Sequence, residues 1–291
     1  MILRAALGAA AALVALAPLA ARAAPPDLCA EPPGGLPIIA PLPHFAAQID
    51  KGGPLNIVAV GSSSTAGTGA SSPDMTYPSR LEAELRRLFP KMEIHVVNRG
   101  KGGEDAPEEL ARLGADVVAL HPDLAIWQVG TNAVLRRDDL HADGEWMREG
   151  VELLKRNGID VVLMDQQDAP RVVERSGYPA MQELIADTAN QAHVGLFRRF
   201  ALMHFWQRSH APDAPAMVGA DGLHMTDAGY GCLAADLAAA LSANWRAEEK
   251  IARRAHGPAQ SVAGLPAPSA PSLREPLSPS DMRRNDATPF N

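Results

Sequence analysis

The chain has 291 residues, 46% of them hydrophobic, a formal net charge of −7 and a pI near 5.7. That length allows one domain of about 200 residues with appendages and a sizeable core. The acidic balance argues against a nucleic-acid binder, which would present a basic face.

The N-terminus does not read as part of the fold. Met1-Ile2-Leu3-Arg4 is a short basic start, Ala5 to Ala20 is an apolar run, and Ala21-Arg22-Ala23 is a small-x-small cleavage signal. A signal peptide over 1–23, cut after Ala23, is expected, and with it export to the periplasm or the exterior. The rival is an uncleaved anchor, but the run contains Pro18 and falls short of the roughly 18–20 apolar residues a span needs. No second run is long enough to cross a bilayer. Residues 24–52 are rich in Pro, Gly and Ala and read as an irregular lead-in.

From Leu55 the pattern becomes regular. Leu55–Val60 is a buried strand closed by Gly61. Tyr77–Leu88 is an amphipathic helix with Leu81, Leu85 and Leu88 at helical spacing, stopped by Pro90. Ile94–Val97 is a second strand ending at Asn98, Pro107–Leu113 a short helix, and Asp123–Val129 a strand ending at Gly130. Gly144–Asn157 is a helix, Ile159–Met164 a strand, Tyr178–Ala192 a long helix and Val194–Phe200 a candidate last strand. Thr226 caps a final helix over Asp227–Trp245. Strands alternating with helices predict a parallel sheet covered on both faces, an α/β domain over 53–255. The remaining 256–291 is a Pro/Ser/Ala-rich, disordered tail.

Cys29 and Cys232 are the two cysteines. In an oxidising compartment they could pair and pin the mature N-terminus to the last helix, or remain separate thiols; sequence leaves this open. No Cys-x-x-Cys or His-Glu-x-x-His suggests a metal site.

Four short segments carry the chemistry. They are Gly61-Ser62-Ser63-Ser64-Thr65-Ala66-Gly67, Asn98-Arg99-Gly100-Lys101-Gly102-Gly103-Glu104, Gly130-Thr131-Asn132 and Asp221-Gly222-Leu223-His224. The first three follow predicted strands, where parallel sheets place their ligands. A hydrolytic serine needs a base, a group that orients the base, and donors for the oxyanion. Asp221 and His224, three apart, let a carboxylate approach the near nitrogen of the imidazole and leave the far nitrogen for a serine. The serine segment lacks the Gly-Lys-Ser/Thr of a phosphate loop and the second glycine of the Gly-x-Ser-x-Gly elbow.

These segments resemble the blocks of the SGNH (GDSL-type) hydrolases over about residues 55–245. Gly61 to Gly67 is similar to the Gly-Asp-Ser-Leu block and puts the nucleophile at Ser63 among Ser62, Ser63 and Ser64. The resemblance implies a flavodoxin-like three-layer α/β/α sandwich. It implies a triad of Ser63, Asp221 and His224, an oxyanion hole made by the N–H groups of Ser63 and Gly103 with the Asn132 amide, and no metal or organic cofactor. Ser62 and Ala133 replace two aspartates of the family pattern, which puts the substrate subgroup and the local loop support in question.

The expected function is that of an exported esterase or deacylase acting on a small ester, a lipid or an acylated glycan. An acyltransferase on the same site and a non-catalytic glycan- or lipid-binding protein are the alternatives. Trp127 is expected in the core, and Glu104 and Arg171 are expected as solvated charges near strand ends.

Overall fold

The computed structural model describes residues 28–136 and 140–256. The expected signal peptide lies outside the described residues, and so does the expected 256–291 tail apart from His256, which ends the last described helix. The chain divides after Ile251, and the account below concerns the unit that ends there. Five strands, β1 (Leu55–Gly61), β2 (Ile94–Gly100), β3 (Leu124–Gln128), β4 (Asp160–Met164) and β5 (Gly195–Phe197), form one sheet. All pairings are parallel and the order is β2-β1-β3-β4-β5.

Strands β1, β3 and β4 are buried almost throughout, as a sheet covered on both faces requires, while β2 at the edge carries His95, Asn98 and Arg99. Alternate side chains go to opposite sides. Leu55, Ile57 and Ala59 join Ile126, Val162 and Phe197 on one face. That face is covered by α1 (Pro43–Lys51), α3 (Tyr77–Leu88), α9 (Arg199–Ser209) and α10 (Asp227–His256), through Phe45, Leu81, Trp206 and Leu237 among others. Val58, Val60, Ala125 and Leu163 point the other way. They meet α4 (Ala106–Asp116), α6 (Leu140–Arg156) and α8 (Tyr178–Ala192) through Leu113, Val151 and Ile185. Each fully buried Leu or Ile contributes about 1.5–3 kcal/mol. The result is a three-layer α/β/α sandwich in the flavodoxin-like strand order. The order reverses between β1 and β3, and sheets of this kind bind ligands outside the carboxyl ends of the strands at such a point.

The elements that differ from the sequence expectation include α1, β2 and β5, the unexpected α9, α6, which starts at Leu140, and α10, which runs past Trp245 to His256. The lead-in over 24–52 contains α1. Its Phe45 N–H donates to Asp160 Oδ2 at 2.9 Å, and Phe45 and Ile49 are buried. Asp160 stands 115 residues away, so nothing local announces this cap. β2 runs on to Gly100, which puts Asn98 inside the strand rather than after it. The expected strand over 194–200 contracts to Gly195–Phe197, because Asp165 Oδ1 accepts from Phe200 N–H at 2.9 Å and α9 starts there. Cys29 and Cys232 form a disulfide with a Cα–Cα distance of 4.8 Å, which pins the N-terminal segment to α10.

Candidate active site

Ser63 opens the short helix α2 (Ser63–Ala66), directly after β1. Its Oγ lies 2.8 Å from His224 Nε2. His224 Nδ1 lies 2.5 Å from Asp221 Oδ2. The other Asp221 oxygen accepts from the N–H groups of Leu223 and His224, both at 3.0 Å, so one carboxylate holds the backbone and the ring of the same turn. Burial opposes the Asp221 charge, but the His224 ring and the two N–H donors outweigh it and hold the carboxyl down at about 2. The hydrogen-bond pattern puts the imidazole proton on Nδ1 and leaves Nε2 to accept from the Ser63 hydroxyl.

Of the three adjacent serines, the structure brings Ser63 to the histidine. Ser64 is buried, and its Oγ has no hydrogen-bond partner among the described residues. Ser62 is also buried, and Gln128 Oε1 accepts from its N–H at 3.1 Å and from its Oγ at 3.0 Å. The same oxygen accepts from Thr65 Oγ1 at 3.3 Å. Gln128, the last residue of β3, therefore supports the loop where Ser62 replaces an aspartate of the resembled pattern. Ala133, the other replacement, is fully buried in the apolar layer under α6 and α8.

The second segment folds over the end of β1. Lys101 N–H donates to Gly61 O at 2.9 Å, and Asn98 Oδ1 accepts from Gly100 N–H at 2.8 Å. A Cβ on Gly100 would sit 2.0 Å from Ala66 N, so this close approach of α2 to β2 requires glycine. Gly103 has φ +82°, a left-handed conformation, and is exposed. Asn132, in α5 (Thr131–Arg136), donates from Nδ2 to Glu104 O at 2.6 Å. A primary amide has two N–H donors, so this bond fixes the amide and leaves the second donor free to serve an oxyanion. The Ser63 N–H belongs to the first helical residue, which has no partner within its own helix.

Glu104 is not a solvated charge. It is buried and pairs with Arg112 Nε at 2.5 Å and Lys101 Nζ at 2.8 Å. Burial opposes its charge, but these two partners hold its carboxyl below the usual range. Arg112 also donates to Gly61 O at 3.1 Å and Arg99 O at 2.8 Å, and so ties the ends of β1 and β2 together. Arg171, in α7 (Pro170–Val173), is exposed as expected, and its backbone N–H donates to Gly222 O at 3.0 Å in the Asp221–His224 turn. Trp127 is fully buried and its Nε1 donates to Glu109 Oε2 at 2.7 Å.

The sequence reading missed several supports. Tyr230 OH donates to Thr68 O at 2.7 Å, and Asp227 accepts from Ser71 N and Ser71 Oγ at 2.9 and 2.6 Å. These bonds clamp the loop after Ser63 to the start of α10. The polar run Asp165-Gln166-Gln167-Asp168 follows β4 and is buried in full. A polar run at the carboxyl end of a parallel strand was the available signal.

The family described as Non-GDSL lipase-like matches residues 28–246. No curated relative matches the chain. Among solved structures, an acetylxylan esterase from Geobacillus stearothermophilus is 21% identical, with a TM-score of 0.55 over 66% of this chain and 95% of its own. A two-domain esterase active on acetylated mannans, co-crystallised with mannopentaose, is 20% identical with a TM-score of 0.59. That match covers 74% of this chain and 56% of the two-domain protein. An α/β hydrolase from the metagenome of Lake Arreo, Spain, is 25% identical, with a TM-score of 0.52 over 65% of this chain and 95% of its own. At 20–21% identity the likeness to the two esterases is one of fold.

Proposed function

The chain belongs to the Non-GDSL lipase-like family, and on that premise we propose that it is an exported serine esterase. Its nucleophile is Ser63, its base His224, and its oxyanion donors are the Ser63 and Gly103 N–H groups and the Asn132 amide, which are the SGNH positions. The observation that carries this reading is the continuous path from Ser63 Oγ through His224 to Asp221, at 2.8 and 2.5 Å. The GDSL signature itself is replaced by Gly61-Ser62-Ser63-Ser64, in keeping with the family's description.

In the first half-reaction Ser63 Oγ adds to the ester carbonyl carbon as its proton passes to His224 Nε2. Asp221, ionised above a pH of about 2, stabilises the imidazolium. The carbonyl oxygen becomes an oxyanion held by the three donors. Collapse expels the alkoxide, which takes the proton from Nε2 and departs as the alcohol, leaving acyl-Ser63. Water then adds to the acyl carbon, gives its proton to Nε2, and releases the acid as Ser63 recovers its hydrogen. The base must start neutral to accept the Ser63 proton.

The Cys29–Cys232 disulfide supports export, since such bonds persist in oxidising compartments. No helix among the described residues is long and apolar enough to cross a membrane. Two of the fold neighbours act on acetylated xylan and mannan, which makes a short acyl group on a glycan the first substrate class to try. A p-nitrophenyl ester series from acetate to palmitate, run on the wild type and on Ser63→Ala, tests the reading. Turnover of the shortest esters and fluorophosphonate labelling are expected in the wild type alone. Labelling that survives Ser63→Ala and disappears in Ser64→Ala would overturn the nucleophile, and no turnover with no labelling would leave a binding protein.

A further inference from the structure

The turn that carries His224 has to be held against elements that come from elsewhere in the chain. The peptide unit joining Leu223 to His224 is gripped at both ends. Its N–H, on His224, donates to Asp221 Oδ1 at 3.0 Å. Its carbonyl, on Leu223, accepts from Gln167 Nε2 at 3.2 Å. A peptide unit is planar, so fixing both ends fixes the plane from which the His224 side chain projects.

The Gln167 amide is itself fixed. Its Oε1 accepts from Arg199 Nη2 at 2.8 Å and from Thr131 Oγ1 at 2.9 Å. Arg199 can only donate, so Oε1 must face it and Nε2 must face Leu223 O. Gln167 and Arg199 are both buried. Arg199 is anchored in turn, donating from Nε to Asp165 O at 2.9 Å. Thr131 is the residue before Asn132, so the same amide touches the helix that supplies the side-chain oxyanion donor.

We propose that Gln167 is a positioning residue that locks the His224 turn to the Asn132 helix, with Arg199 and Thr131 setting its amide. The proposal rests on the reading of Ser63 and His224 as the reacting pair. Two demands meet at this position: an acceptor for a buried guanidinium and a donor for the Leu223 carbonyl. Glutamine meets both without charge. Glutamate keeps the acceptor and loses the donor, so the two demands can be separated by experiment.

The test compares full-length wild type, Gln167→Glu, Gln167→Met and Thr131→Val. Readouts are kcat and KM on p-nitrophenyl acetate, the rate of fluorophosphonate inactivation, and Tm. In Gln167→Glu the new carboxylate keeps Arg199 and Thr131 as partners but sets an oxygen against Leu223 O. Its Tm should stay at or above that of the wild type. Its kcat and inactivation rate should both fall about 10–100-fold, the cost of a small misplacement of a reacting group, with KM within about twofold. Gln167→Met should lose as much. Thr131→Val loosens one anchor and should lower kcat about threefold to tenfold, which keeps the proposal testable if neither glutamine variant folds. Wild-type kcat in Gln167→Glu would overturn the positioning role, as would an unaltered kcat in Thr131→Val. A wild type that neither turns over nor is labelled would instead overturn the esterase reading, and this inference with it.

Discussion

At the scale of single residues, the site depends on side chains whose second bond restricts what the first can do. Asn132 gives one N–H to the Glu104 carbonyl, so its remaining N–H has one direction to point. Asn132→Ala should lower kcat by about 10²–10³, or about 2.7–4 kcal/mol of barrier, with fluorophosphonate labelling of Ser63 slowed but retained. An unchanged kcat would remove Asn132 from the oxyanion hole. The meeting of Ser63, His224 and Asp221, and the place of Asn132 just after β3, were legible because their motifs are local: a serine cluster closing a strand, an Asp-x-x-His, a Gly-x-Asn. Gln128 and Gln167 were not. Their partners Ser62 and Leu223 lie 66 and 56 residues away, and a glutamine at or near a strand end, even within a polar run, does not say which distant group the fold brings to it.

At the scale of elements, the same contrast holds. The helices over Tyr77–Leu88 and Tyr178–Ala192 coincide with the sequence expectation because both ends are written locally. Each has a proline at its second residue, and they stop at Phe89-Pro90 and at the left-handed His193. Helix α9 was missed because Phe200, Leu202, Met203, Phe205 and Trp206 spread apolar character around the helix rather than along one stripe. Helix α10 is held at its start by the Tyr230 and Asp227 bonds to the loop after Ser63, and at Cys232 by the disulfide. Closing a loop across a separation of 203 residues removes unfolded-chain entropy equivalent to about 5 kcal/mol. For a domain of this size that is a Tm difference of about 10–20 °C. Cys29→Ala/Cys232→Ala should show this fall in a thermal melt, with kcat per folded molecule retained. An unchanged Tm would mean that the bridge does not constrain the unfolded chain.

At the scale of the whole molecule, the sheet places charge in its apolar layers. Glu109, on the buried face of α4, meets Trp127 of β3, and burial pushes its carboxyl from 4.5 up to about 8, against the Trp127 hydrogen bond. Burial likewise raises Asp165 to about 7 and Asp160 to about 6. Each folded-state value lies above the unfolded one, so the folded protein keeps protons that the unfolded chain has released. Stability from these groups is full below their unfolded values and is lost as pH rises through the folded ones, for Glu109 between about 4.5 and about 8. Tm should therefore fall from pH 5 to pH 9, and Glu109→Gln should flatten that fall. A slope identical in the variant would show that Glu109 is ionised in the folded protein throughout. The disulfide has a last consequence, one of timing. Cys29 is synthesised 203 residues before its partner, an interval of roughly 10–40 s at 5–20 residues per second. The bridge can therefore close only after α10 has been made as far as Cys232, so it locks contacts that the rest of the domain has to form without it.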